Sequence, residues 1–328
     1  MLDGLARGLQ SAGHDVVLFA TGDSTCPVET LWVHEEAIWL RQANTGAELH
    51  QVIAAYEALA GCDLVHDHTL AGPLYCARYP DLSVVTTNHG PYDRTAVALY
   101  QAIAQRVPVI AISRHQASTA RGVPIAKVIH HGVDVAAFPN GTGDGGYALF
   151  LGRMSPDKGV DRAILAAKAA GVRLVIAAKM REDPELAYYR DHIAPMLGDG
   201  VEYIGEVGGA DKRELLAGAR CLLNPIRWPE PFGLVMIEAL ACGTPVITTG
   251  KGAAPEIVDD GISGFLCGTD AELLDALARV DDIERSTCRA IAKERFSTDR
   301  MVADHLELYR EVTSARKGLA EKPDRVYH

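Results

Sequence analysis

The sequence has no apolar run approaching the roughly 20 residues that span a bilayer. It does not open on a basic segment followed by an apolar one, the mark of a secretory leader. Neither a membrane span nor export is expected. The seven cysteines (26, 62, 76, 221, 242, 267 and 288) are odd in number and form no C-x-x-C pair. A disulfide framework and a cysteine zinc site are thereby disfavoured, and reduced thiols in a cytoplasm are expected. Basic residues are outnumbered, 32 Lys and Arg against 43 Asp and Glu, for a net charge of −11. A general nucleic-acid binder needs a basic face, which this balance disfavours. A local basic pocket for one anionic ligand stays open. No G-x-G-x-x-G follows a leading strand, which speaks against a dehydrogenase.

What is present is an alternation of short apolar runs and Ala/Leu-rich helical stretches. Strands are expected at 15–20, 63–68, 83–89, 108–113 and 127–133, and a second set at 147–153, 173–179, 201–207, 219–225, 244–249 and 264–267. Helices fit between them, for instance at 159–170 and 271–279. Near-continuous apolar strands linked by helices imply parallel sheets covered on both faces. The Gly/Asn/Asp-rich stretch 139–146, PNGTGDGG, reads as a linker. With 328 residues, two α/β domains are predicted, at 1–140 and 145–298. A helix at 299–318 follows, able to pack back on the first domain, and then a polar tail. Doubly wound domains bind ligands outside the carboxyl ends of their strands, so chemistry is sought there and in the cleft between the domains.

Two such places stand out. In FLGRMSPDKGV (150–160), Arg153 and Lys158 follow a strand and Gly159 opens a helix. Two cations at a helix N-terminus suit a diphosphate. The alternative is two surface cations near a turn. In WPEPFGLVMIEALACG (228–243), prolines bracket Glu230, and the helix that follows carries Glu238. Both carboxylates can face a ligand at that helix start, where the N–H groups of Phe232, Gly233, Leu234 and Val235 can donate. Carboxylates accept paired sugar hydroxyls well. The alternative makes Glu230 a solvated loop acid and Glu238 a buried acid paired with a cation. His66 and His68 in VHDHT share a strand face, but no third ligand stands at motif spacing, so no metal is expected. His130 and His131 are read as structural.

GRMSPDKG followed by PEPFGLVMIEALACGTPVI resembles the retaining glycosyltransferases of family 4, in the clan of glycogen synthase and sucrose synthase. Glu230 and Glu238 match that family's E-x7-E motif. VIHHGVD, VEYIGEV and GAAPEIVDDGISGFL match further, so the likeness covers nearly the whole chain. It implies the GT-B fold, two Rossmann-like domains facing across a cleft, with 1–140 on the acceptor side and 145–298 binding the nucleotide sugar. It implies a hexosyltransferase acting with retention on a UDP-sugar, or alternatively on a GDP- or ADP-sugar, with no metal. Arg153 and Lys158 would hold the diphosphate, Glu230 the donor sugar and Glu238 the ribose. Phe232, Gly233 and Leu234 would supply N–H groups. Lys179, Met180, Glu206 and Val207 would lie by the base, and His89 by the sugar. Ser113 and Arg114 are further candidates. The acceptor, a small molecule, glycan or glycolipid, is not named by the sequence, though residues 92–106 are expected to line its side.

One departure counts. The chain opens on a helix with Leu2, Leu5 and Leu9, whereas family members open on an earlier strand and a glycine-rich loop. A longer natural product or a compensating partner is therefore expected. A catalytically impaired nucleotide-sugar-binding module is the alternative from another class.

Overall fold

The computed structural model describes residues 1–37 and 45–320, the side chains of 317–320 excepted. The polar tail expected beyond residue 320 lies outside the described residues. The chain divides into two compact units, Met1–His130 together with the segment from Thr298 onward, and His131–Ser297.

The first unit runs Leu2–Ser11 (α1), Val17–Ala20 (β1), Glu29–Trp32 (β2), Thr45–Leu59 (α2), Leu64–Asp67 (β3), Gly72–Tyr75 (α3), Ser83–Thr87 (β4), Arg94–Ile103 (α4), Val109–Ala111 (β5), Arg114–Thr119 (α5) and Ile125–Val128 (β6). All pairings are parallel, in a two-stranded sheet β1–β2 and a four-stranded sheet in the order β3–β4–β5–β6. Alternation along the central strands buries both faces. Val84 and Val109 join a core with Val52, Tyr56, Tyr100 and Ile103. Their neighbours Val85 and Ile110 join a second core with Leu5 and Ile129. In α1 the expected apolar face is narrower than three leucines: Leu5 is buried and Leu2 is 38% exposed. The expected strand at 127–133 begins and ends earlier, as β6, because the chain passes to the second unit at His131. Tyr92 and Tyr100, in the segment expected to line the acceptor side, are buried core residues.

The second unit runs Tyr147–Arg153 (β7), Val160–Ala170 (α6), Arg173–Lys179 (β8), Asp183–Tyr188 (α7), Val201–Gly205 (β9), Gly209–Gly218 (α8), Cys221–Asn224 (β10), Leu234–Ala241 (α9), Val246–Thr249 (β11), Ala254–Ile257 (α10), Gly264–Cys267 (β12), Asp270–Arg279 (α11) and Arg285–Arg295 (α12). Its six parallel strands lie in the order β12–β11–β10–β7–β8–β9. Counted within the unit this is the doubly wound order 3-2-1-4-5-6, and the order reverses between β7 and β10. The last helix, Thr298–Ala320 (α13), returns to the first unit and lays Met301, Val302 and Leu308 in the core of Leu5, Val85 and Ile110.

The boundary between units falls at His130/His131, before the glycine-rich stretch 139–146. That stretch is part of the second unit. Gly141 N–H donates to Cys242 O (2.8 Å), Gly143 N–H to Ala217 O (3.1 Å) and Gly145 N–H to Gly218 O (3.0 Å). A Cβ on Gly141 would lie 2.4 Å from Ala217 O. These glycines permit close backbone approach, not freedom.

Candidate active site

The carboxyl ends of β7 and β10 flank the point where strand order reverses, and the two motifs singled out in the sequence leave from them. β7 and β8 pair through to their last residues, Arg153 opposite Lys179. The chain then turns, and Gly159 takes φ 75° with its Cα so close to β10's exit that a Cβ would lie 2.3 Å from Pro225 O. Only glycine meets both conditions. This turn delivers Lys158 to the loop after β10, where its Nζ donates to Glu230 Oε1. Both side chains are largely covered, 13% and 14% exposed. The Lys158 ammonium also lies 5.4 Å from the centre of the Trp228 ring. Arg153 is half-exposed and meets Asp157 at 3.4 Å.

The loop carrying Glu230 is clamped at both ends. Arg227 Nη2 donates to Asp161 Oδ2 of α6 at 2.7 Å. Burial alone would raise the Asp161 carboxyl, but hydrogen bonds from Arg227 and Tyr188 outweigh it and hold it below the ordinary range. Downstream, Ala253 N–H donates to Glu230 O at 3.0 Å. Gly233, at φ 111°, starts α9. Phe232 is 3% exposed, its ring edge-on to those of His131 and Phe296. Its side chain anchors the core, so its backbone alone is left for the N–H role expected of it. Glu238, on α9, receives Lys212 Nζ of α8 on Oε1 at 2.6 Å. Both glutamates thus have a lysine partner, and the solvated-acid alternative for Glu230 is overturned. Three polar atoms of this region are buried without a hydrogen-bond partner among the described residues: Ser155 Oγ, Trp228 Nε1 and Glu230 Oε2. Each such group costs about 1–3 kcal/mol until something satisfies it.

Lys179 and Met180 stand at the end of β8, beside the end of β9, which Glu206 and Val207 follow. Glu206 is held in a two-pronged pair by Arg181, at 3.0 and 2.9 Å.

The remaining candidates lie in the first unit. His89 follows β4, and its Nε2 is 2.9 Å from His68 Nδ1. His66 meets the hydroxyls of Tyr309 (2.6 Å) and Thr87 (2.7 Å) through its two ring nitrogens, which leaves neither for a metal. Burial, with neighbouring histidines adding to it, holds His66 well below the ordinary imidazole value and His68 at about 3. Ser113 is the N-cap of α5: its Oγ accepts from Gln116 N–H at 2.9 Å, so that hydroxyl is a structural group. Arg114 is the helix's first residue. Among the described residues no group of three or more His, Cys, Asp or Glu is arranged to hold a metal, and no helix is long and apolar enough to cross a membrane.

Residues 136–295 match the family described as glycosyl transferases group 1, and residues 1–137 match glycosyltransferase family 4. The two family matches together with the solved structures of the same fold support a group 1 glycosyltransferase of GT-B fold. The alpha-maltose-1-phosphate synthase of Mycobacterium tuberculosis (strain ATCC 25618 / H37Rv) is 29% identical over 259 residues, covering 66% of each chain. The D-inositol 3-phosphate glycosyltransferase of Saccharomonospora viridis is 36% identical over 193 residues, 52% of this chain and 44% of that protein. The chain spans about half to two-thirds of the length of the curated relatives first matched, 48% and 66%. Among solved structures, AviGT4, a glycosyltransferase involved in avilamycin A biosynthesis, superposes with TM-score 0.72 at 28% identity, covering 95% of this chain and 88% of its own. Anabaena HepE, crystallised with UDP and glucose, shares the fold with TM-score 0.76 at 20% identity over 94% and 95% of the two chains.

Four polar groups of the region escape a reading by motif. Lys212 and Arg181 are ordinary charges in their own segments, and their partners are set by tertiary packing. Ser155 and Trp228 sit inside quoted motifs but carry no charge to draw notice.

Proposed function

We propose that this chain is a retaining glycosyltransferase that moves a sugar from a nucleotide-diphosphate donor, a UDP-sugar, to a small-molecule, glycan or glycolipid acceptor. The observation that carries this reading is the Lys158–Glu230 contact at the reversal of strand order, with Glu230 Oε2 buried and unpartnered. A cation and a hydroxyl acceptor side by side match the two halves of a glycosyl–phosphate bond. In the proposed step the bond from the anomeric carbon to the phosphate oxygen breaks, and its electron pair leaves with the phosphate. Lys158 and Arg153 stabilise that developing charge, which is a transition-state effect. Glu230 accepts hydroxyls of the departing sugar, and Glu238 those of the ribose. Backbone N–H groups at the start of α9 face negative ligand groups. Lys179, Met180, Glu206 and Val207 bound the base. The acceptor oxygen bonds the anomeric carbon on the same face, and its proton passes to the leaving phosphate. Two fixed protein cations supply the charge needed, so no metal is required.

The test is a thermal-shift panel of UDP-, GDP-, ADP- and TDP-sugars, followed by product analysis. A ligand at 100 times its Kd adds about 2.7 kcal/mol to stability, so the correct base stands out. The sugar nucleotide is expected to raise Tm more than its bare diphosphate, because only the sugar reaches Glu230. A product of inverted anomeric configuration overturns retention. A panel with no shift overturns the donor reading.

A further inference from the structure

Glu238 is the only charged residue of α9, and most of that helix is buried. A carboxylate there needs a partner, and Lys212 provides it at 2.6 Å. The pair remains reachable from solvent, with side chains 27% and 16% exposed. No other hydrogen bond reaches the Glu238 side chain among the described residues, which leave Oε2 without a partner. The neighbouring tie between this helix region and α8 does not need the ion pair. Thr244 Oγ donates to Leu216 O at 2.6 Å in the interior, and Thr244 N–H donates to Ala239 O at 2.9 Å.

We propose that Lys212 is a positioning residue that sets the chain's preference for ribose over 2′-deoxyribose in its nucleotide ligand. The inference rests on the reading of Glu238 as the ribose acceptor. An ionised carboxylate offers about four lone-pair sites, and Lys212 occupies one. That fixes the side chain in one orientation before ligand arrives and leaves sites for two adjacent hydroxyls. Ribose brings both donors, whereas 2′-deoxyribose brings one. Without Lys212 the carboxylate is ordered and desolvated only at the moment of binding, and that cost falls on the ribose contacts.

The experiment is calorimetry on the full chain with UDP, GDP and ADP and the 2′-deoxy form of each. Wild type is expected to prefer the ribonucleotide by about tenfold, the scale of one hydrogen bond to a charged group. Lys212→Met is expected to bring that preference to within about threefold of unity while 2′-deoxy affinity stays nearly constant. The constant deoxy affinity shows that the variant is folded. Lys212→Arg is expected to restore the preference. Glu238→Gln separates the two layers. If Glu238→Gln keeps the preference, the ribose reading of Glu238 fails, and the inference with it. If Glu238→Gln loses it and Lys212→Met keeps it, the inference alone fails. A Lys212→Met variant that weakens both nucleotides equally shows a structural tie only and also overturns it. Wild type that binds none of the six nucleotides overturns both.

Discussion

The first unit gathers four histidines against one another, whereas the second pairs two lysines with two glutamates. His66, His68 and His305 are pushed toward the neutral form, in each case chiefly by burial. Their ring nitrogens meet groups that ask for no charge: the hydroxyls of Thr87 and Tyr309, the carbonyl of Met301 and the ring of His89. In the second unit Lys158 meets Glu230 and Lys212 meets Glu238, each pair with some remaining exposure. The difference is one of solvation. A covered imidazole loses its charge because burial takes the charged form out of water, and for His66 and His68 like neighbours add to that. Opposite groups can be covered together at lower cost. Only the second arrangement keeps charged groups of both signs within reach of solvent.

The comparison breaks most sharply at Lys158. Lys158→Met is expected to lower kcat by about 10²–10³, the scale of removing one fixed donor to a developing anion. Steady-state kinetics of Lys158→Met beside His89→Ala checks this. A larger loss from His89→Ala would move the chemical weight to the first unit and reverse the comparison.

The next effect concerns pH. His305 is 4% exposed and held at about 4, mainly by burial. Above pH 6.5 its imidazole is neutral in both folded and unfolded chains. As pH falls below 6.5, the unfolded chain takes up a proton that the folded chain does not. Stability is therefore lost between pH 6.5 and about 4, by about 3 kcal/mol for this residue, and levels off below. His305→Gln keeps a donor for Met301 O without the titration. Urea unfolding from pH 7.5 to 4 should show a slope lowered by up to about 1.4 kcal/mol per pH unit. An unchanged slope would mean that His305 already carries its proton in the folded state.

Much of this was legible in the chain. Strands such as RLVIAAK, apolar on both faces, become β8 without displacement because a fully buried parallel strand needs an unbroken apolar run. Glu230 and Glu238 stood out because a carboxylate in an apolar run needs a reason. Other parts were hidden for physical causes. β2 is four residues long with exposed ends and a partly buried middle, so it carries no alternation to read. The glycines of 139–146 look like a linker, since close backbone approach and flexibility both call for glycine. Lys212 is indistinguishable from any helix-surface lysine until α8 and α9 are packed.

The smallest expected effect tests how far the charged region of the second unit extends. Arg181 and Glu206 form a two-pronged pair, but their side chains are 42% and 44% exposed. Exposed pairs contribute about 0–1 kcal/mol, and water screens what remains. At about 2–4 °C per kcal/mol for a domain of this size, Arg181→Ala should move Tm by no more than a few degrees. That shift should shrink further in high salt. Nucleotide affinity by calorimetry should change by less than about threefold, within the range set by losing a surface pair. The reason is that Glu206, released from Arg181, is still held by its place after β9. A loss of tenfold or more would show that Arg181 itself meets the ligand. The cations beyond β7 and β8 would then form one continuous surface, and the second unit's contrast with the neutral histidines would be wider than its two lysine–glutamate pairs.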